Sequence, residues 1–172
     1  MKTALHLILG GLLLPGVVLL LVPGILVWLY PIELPNPTLV RYWFAKVMLP
    51  GGLVLMGTCA AQFVVTGHGT PAPWAPPKKL VTSGLYAYVR NPMILGMLLM
   101  LGGEALLIAS HAIGIWFAMV ATVIVAYVHL IEERGLQARF GDAYATYKAN
   151  VPAWFPRFKA WAAPDQPDPS DP

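Results

Sequence analysis

The sequence predicts an all-α integral membrane protein with about four transmembrane helices and a C-terminal amphipathic surface helix. Three observations carry that fold class. Hydrophobic residues make up 58% of the 172-residue chain and charged residues only 11%, and the mean hydropathy is +0.66, a balance foreign to ordinary soluble domains. Uncharged apolar runs recur along the chain, and the last helical stretch switches to one-sided apolar spacing.

The first run, from Thr3 to Ile32, has no charged residue. It exceeds the roughly 20 residues a bilayer crossing requires, and so is too long for the apolar region of a secretion signal. Helix 1 is expected over about residues 4–30, bent near Pro15 or Pro23, prolines being tolerated where neighbours satisfy the freed carbonyls. The Pro31–Pro37 segment, with Pro35 and Asn36, is a turn. Helix 2 is expected over about 40–66, with Arg41 at its entrance, Lys46 snorkelling, and Tyr42 and Trp43 in an interfacial belt.

Residues 67–91 form a long, largely polar connection, the kind that is usually functional or disordered. Two further apolar runs, Met93 to Ala109 and Ile113 to Ile131, are separated by too little chain for anything but a tight helical hairpin, with helix 3 over about 92–110. Glu132 and Glu133 end the last span. Beyond them Leu136, Phe140, Ala143, Tyr144, Tyr147 and Val151 fall on one helical face, the pattern of an amphipathic helix on the membrane surface. The Pro/Asp-rich tail from Pro164 has nothing to bury and is expected to be disordered. The chain thus divides into an N-terminal helix pair (1–66), a functional region (67–163) and a tail (164–172).

In a four-span arrangement Lys2, Lys78, Lys79, Arg90 and the basic residues after Glu133 share one side, which makes both termini and the 67–91 loop cytoplasmic. A net charge of +3, gathered in two segments, suits anionic headgroups and gives no nucleic-acid-reading surface. Cys59 is the only cysteine, so no disulfide within the chain or zinc framework is available, and it reads as a small helix-packing residue. No metal site is expected, and no internal repeat is apparent.

The hairpin makes neighbours of two polar groups: Gly84–Pro92 leading into helix 3, and Glu132–Glu133 leaving helix 4. An arginine, an asparagine, tyrosines and two carboxylates at one membrane boundary could hold a polar ligand beside a lipid-soluble one. They could equally just stop helices at the headgroups. His129, one turn before the glutamates, points toward them. His68 either contacts a ligand or is a solvated loop histidine, while His6 and His111 are boundary residues. Tyr144 and Tyr147 are expected to pack. Glu104 lies about 18 Å along helix 3 at 1.5 Å per residue; an intramembrane carboxylate is a functional candidate, although this one could also reach the far headgroups or be protonated.

The stretch GTPAPWAPPKKLVTSGLYAYVRNPMILG, followed after the hairpin by EERGLQARFGDAYATYKANVPAWFP, resembles the isoprenylcysteine carboxyl methyltransferase and phospholipid methyltransferase superfamily. Those membrane enzymes show Gly-Pro-Tyr-x-Tyr-x-Arg-His/Asn-Pro-x-Tyr-x-Gly, then Glu-Glu, then Phe-Gly-x-x-Tyr-x-x-Tyr and Val-Pro. The resemblance covers roughly residues 69–156 and implies methyl transfer from S-adenosyl-L-methionine to a lipophilic acceptor entering from the bilayer: a prenylcysteine-like carboxylate, a phospholipid amine or a small lipophilic thiol. It further implies that Tyr86, Tyr88, Arg90, Asn91, Pro92, Glu132 and Glu133 line the cofactor pocket, and that Gly67 and Gly69 match a Gly-x-Gly element. His68 and His129 are candidates for the same pocket. Arg90, Glu132 and Glu133 are the candidate catalytic residues: Arg90 to hold a carboxylate, the glutamates to bind ribose hydroxyls or an amino group, or to remove a proton.

Leu85 stands where the pattern has proline, Asn91 where the eukaryotic prenylcysteine enzymes have histidine, and Ile94 at the aromatic position. These departures loosen the tie to prenylcysteine and leave Arg90, Pro92, Gly96 and both glutamates in place. Membrane sterol reductases, which use a nicotinamide cofactor, share a similar C-terminal arrangement and give one alternative. A non-catalytic membrane scaffold gives another.

Overall fold

The computed structural model describes residues 15–66 and 79–162. The start of helix 1, the Gly67–Gly69 element with His68, and the tail expected to be disordered lie outside the described residues. Within them all regular structure is helical: α1 (Val22–Leu29), α2 (Val40–Val65), α3 (Pro92–Ile108), α4 (His111–Tyr127) and α5 (Glu133–Asn150). Two five-residue π turns join on to them, Val17–Leu21 before α1 and Val128–Glu132 between α4 and α5, and a 3-10 turn spans Gly84–Ala87.

The first π turn lies just before Pro23, one of the two positions where helix 1 is expected to bend. Pro23 has no N–H to give to the preceding turn, and the ladder widens there, the Val22 N–H bonding back to the Val17 carbonyl. The Val18 carbonyl accepts instead from Trp116 Nε1 of α4 at 3.0 Å. Val18 and Leu19 accordingly pack with Met97, Leu101 and Val120 in the main apolar cluster.

The turn before α2 is held by Asn36, whose Oδ1 accepts from the Thr38 N–H at 3.0 Å. Arg41 pairs with Glu33, and the Glu33 N–H reaches the Ile108 carbonyl at the end of α3 at 3.1 Å.

The closest helix packing is α2 against α3, across the 67–78 connection. A Cβ placed on Gly52 would lie 2.5 Å from the Gly96 carbonyl oxygen, and one on Gly96 would lie 2.8 Å from that of Gly52. Only glycine at both positions lets the backbones approach so closely. The hairpin expected between the third and fourth helices is present, α3 ending in a left-handed Ala109 (φ 51°) and Ser110 standing, without a side-chain capping bond, just before α4.

Two helical stretches, Val40–Val65 and His111–Asn150, are long and apolar enough to cross a bilayer, and their most apolar windows are only 11% and 17% buried within the protein. Side chains such as Val47, Leu53, Val54, Ile115 and Val123 point outward. A soluble protein would bury these windows. Lipid is the solvent that fits, and the chain is a membrane protein.

After Ile131 the apolar stretch ends and polar residues begin. Tyr144 and Tyr147 of α5 and Val151 just beyond its end are buried, with Leu136 and Phe140 packed beside them. The register of α5 is not continuous, because Gly141 adopts φ 53°, ψ −129° and breaks the helix in two.

Candidate functional site

The site is built where the 79–92 segment meets the end of α4, α5 and the chain after α5. Gly84 opens the 3-10 turn at φ +59°, and a Cβ there would overlap the Gln62 side chain at 1.5 Å. The left-handed backbone calls for glycine, and any side chain there would displace the Gln62 amide. The turn directs Tyr86 inward, where it is 6% exposed beside Cys59 and Val81 and stands edge-on to Phe63 at 5.3 Å between ring centroids. Tyr88, by contrast, is 38% exposed.

The Tyr147 hydroxyl donates to the Tyr86 carbonyl at 2.7 Å. Burial raises the ionisation point of the Tyr147 hydroxyl, so it stays a donor at physiological pH.

Arg90 is the centre of the joint. Its backbone N–H donates to the Pro152 carbonyl at 2.9 Å. Its Nε donates to the Val151 carbonyl at 2.9 Å, and its Nη1 to Glu133 Oε1 at 2.7 Å and to the Tyr144 hydroxyl at 3.0 Å. Lys148 Nζ donates to the other Glu133 oxygen at 2.7 Å. The Arg90 and Glu133 side chains are 9% and 7% exposed, whereas that of Lys148 is 48% exposed. Burial pushes the Glu133 carboxyl up, but the hydrogen bonds from Lys148 and Arg90 outweigh it and hold the group below the usual carboxylate range.

His129 lies one turn before Glu133, its Nδ1 3.5 Å from Oε1, and its Nε2 accepts from Trp154 Nε1 at 3.1 Å. Asn91 caps no N–H with its side chain; its Nδ2 instead donates to the Ala153 carbonyl at 3.1 Å. Pro92 begins α3. The backbone N–H groups of Arg157 and Trp161 reach the Tyr88 and Ala87 carbonyls, both at 3.0 Å, so the chain after α5 runs back along the 87–91 segment.

The two adjacent glutamates differ sharply. Glu133 has both oxygens engaged. Glu132, half-buried, makes no hydrogen bond or ion pair with the described residues. Burial, and then the Glu133 carboxylate, push the Glu132 carboxyl up. A second acceptor also lacks a donor: Gln62 Oε1 is buried without a partner beside the Gly84 turn. On its outer side the joint borders an open groove of about 440 Å³ lined by His129, Glu133, Arg134, Gln137, Ala138 and Lys148.

Tyr86, Arg90, Asn91, His129 and Glu133 thus come together, with Tyr88 and Pro92 flanking them and Glu132 next to Glu133 in the chain. Sequence reasoning missed the hydroxyl roles of Tyr144 and Tyr147, the Lys148 ion pair and the orphaned amide of Gln62. The hydroxyl roles had a signal: tyrosines three residues apart on the face that also carries Val151. Glu104 sits in α3 with one oxygen buried and without a donor, as is the Ser110 hydroxyl.

Residues 40–143 match the family model for phospholipid methyltransferases. The chain is also similar to a protein-S-isoprenylcysteine O-methyltransferase from Schizosaccharomyces pombe, 34% identical over 45% of this chain and 33% of that protein. It is similar to a methanethiol S-methyltransferase from Crocosphaera subtropica, at 31% identity over 46% of this chain and 30% of the relative. Methanethiol S-methyltransferase 2 from Bradyrhizobium diazoefficiens is 37% identical over 44% of this chain and 28% of its own length. The chain thus spans about a third or less of the curated relatives it matches, and no solved structure matches it. With the family match spanning more than half of its length, and the Tyr-x-Tyr-x-Arg-Asn-Pro and Glu-Glu segments joined through one buried ion pair, the chain belongs to the phospholipid methyltransferase family.

Proposed function

We propose that this protein binds S-adenosyl-L-methionine and transfers its methyl group to a lipophilic acceptor that enters from the bilayer. The observation that carries this reading is the Arg90–Glu133 joint, which gathers three motif segments at the end of lipid-exposed helices. Among the described residues Glu132 and Gln62 Oε1 have no donor.

The described residues fit the methyl donor. Its amino group and ribose hydroxyls bring hydrogens, and Glu132 and Gln62 Oε1 lack them; its carboxylate suits the first turn of α3, where N–H groups have no helical acceptors. Tyr86, Tyr88, Arg90, Asn91, Pro92, His129, Glu132 and Glu133 form the wall in this reading, completed by Gly67, His68 and Gly69 of the connecting loop. When bound, the donor supplies an already activated sulfonium methyl, so the protein's task is alignment and exclusion of water. Arg90 and Glu133 hold the wall in position, and Tyr147 locks the 3-10 turn to α5.

About four spans with α5 on the membrane surface, and the site on the cytoplasmic side with both termini, complete the proposal. The relatives' names supply the acceptor classes to weigh: an isoprenylcysteine, methanethiol and, from the family, a phospholipid.

The test is transfer of radiolabelled methyl from S-adenosyl-L-methionine to organic-extractable product by the purified chain in lipid nanodiscs. Label is expected in the extract, and lost in a folded Arg90→Leu variant. Equal extraction of label with both proteins would overturn the proposal.

A further inference from the structure

We propose that the segment after α5, residues 152–161, is a lipid-docking loop: Phe155 and Phe158 enter the leaflet beside the end of α4, and Lys159 sits among anionic headgroups. This surface is separate from the methyl-transfer reading and stands whether or not that reading holds.

The loop is pinned along its length and carries its phenylalanines outward. Val151, just before it, is fully buried, and Trp161, at its end, packs on Tyr147 at 5.6 Å between ring centroids. In between, backbone bonds lace it to the wall of the site: the Arg90 N–H donates to the Pro152 carbonyl at 2.9 Å, and the N–H groups of Arg157 and Trp161 to the Tyr88 and Ala87 carbonyls at 3.0 Å. Arg157 Nη1 adds a bond to the Asn150 carbonyl at 2.9 Å. A chain held at so many points has little slack with which to fold a side chain away. Phe155 is nonetheless 83% exposed and Phe158 wholly exposed. Each ring left in water forgoes the transfer free energy that burial gives a phenylalanine, so a rigid loop presenting two of them marks a surface that is covered in use.

Lipid is the cover that fits. Trp154, next to Phe155, gives its Nε1–H to His129 Nε2 at 3.1 Å and stands edge-on to that imidazole at 6.0 Å. The start of the loop is thereby fixed against the π turn that follows α4. Tyr127, Leu130 and Ile131, on either side of His129, are exposed, as are Met119 and Val123 earlier in α4. The two phenylalanines therefore extend a surface that already faces lipid, at the end of the span where aromatic side chains gather.

Charge selects the headgroup. From Ala143 to Pro164 the sequence has three cations, Lys148, Arg157 and Lys159, and no Asp or Glu. Lys148 is bound to Glu133. Lys159, beside Phe158, is exposed and makes no hydrogen bond or ion pair with the described residues. An uncommitted cation flanking inserted aromatics is the arrangement that an anionic leaflet attracts. Because the same loop is laced to residues 87–90, its docking holds the Arg90 joint at the bilayer surface.

The experiment places a nitroxide label at Phe158→Cys in the full chain, in nanodiscs of phosphatidylcholine with or without phosphatidylglycerol. Cys59 is fully buried and stays in place, the parent chain treated with the same reagent giving its background. Paramagnetic relaxation is read with oxygen, which concentrates in lipid, and with a nickel chelate, which stays in water. In phosphatidylglycerol discs the label is expected to be relaxed by oxygen and shielded from nickel, with weaker insertion in phosphatidylcholine alone. Lys159→Glu should lower the ratio of inserted to exposed label by about fivefold or more in phosphatidylglycerol discs and change little in phosphatidylcholine. A label at Phe155→Cys gives an independent reading of the same loop.

Labels open to nickel in both kinds of disc overturn the proposal. So do labels shielded from nickel and oxygen alike, the result given by a loop covered by a second copy or by another part of the chain. Insertion that is equal in the two discs and survives Lys159→Glu overturns the assignment to anionic headgroups.

Discussion

The α2–α3 seam and the Arg90 joint hold the same protein together by opposite means. At the seam Gly52 and Gly96 bring two backbones within a distance no side chain permits, and shape alone does the holding in an apolar surrounding. At the joint a buried ion pair, a second cation, two tyrosine hydroxyls and two backbone carbonyls are linked in one network. A seam of shape tolerates loss of polar atoms and no gain of volume. The joint should tolerate neither the loss of a buried charge nor exposure to acid.

The sharpest way to break that contrast is Glu133→Ala, which leaves the Arg90 guanidinium buried without its counter-charge. A cost of about 3–5 kcal/mol is expected, read as a fall in melting temperature in detergent. The paired replacement Arg90→Leu with Glu133→Leu should cost clearly less than the single change, because no charge is stranded. At the seam, Gly52→Val should cost about 1–3 kcal/mol through overpacking, read in the same melt. It should leave the polar network intact.

Smaller effects sharpen the comparison. Tyr147→Phe removes the donor to the Tyr86 carbonyl and should cost about 1 kcal/mol, with increased hydrogen exchange across the Gly84–Ala87 turn. Acid should act on the joint and not on the seam. The Glu133 carboxyl is held below its ordinary range, so its contribution is present above the unfolded value, near pH 4, and is lost as pH falls through the lower folded value. Melting temperatures taken from pH 6 down to 3 should show an acid limb that flattens in Glu133→Gln and stays steep in the Gly52→Val variant. Lys148→Ala comes last, at about 0–1 kcal/mol, since its half-exposed charge is screened by solvent.

The two regions were also unequally legible in the sequence. Helix spans follow from uncharged runs, and α2 and α3 lie within a residue or two of the expected limits, because lipid demands unbroken apolar stretches, while α4 gives way to the π turn at Val128, short of the expected end at Ile131. The polar neighbours Gly84–Pro92 and Glu132–Glu133 were legible too, because the chain between α3 and α4 is too short to keep them apart. Partner choice within the joint was not. Nothing in the order Glu132, Glu133 says which one faces Arg90; the π turn over Val128–Glu132 intervenes, and π turns leave no periodic signature. The break at Gly141 was hidden for a related reason: one left-handed glycine interrupts the helix while the apolar face continues on both sides. Tyr144 and Tyr147 read as packing residues, which their burial supports, and their hydroxyl bonds depend on a segment some 60 residues away.

The central claim is that the pocket beside the joint takes the methyl donor, and it is tested most directly by calorimetry on the detergent-purified chain. S-adenosyl-L-methionine and NADPH are titrated side by side into protein shown to be folded by its melting curve. The account predicts saturable binding of S-adenosyl-L-methionine in the micromolar range and none of NADPH. Binding of NADPH alone, or of neither by folded protein, would contradict it.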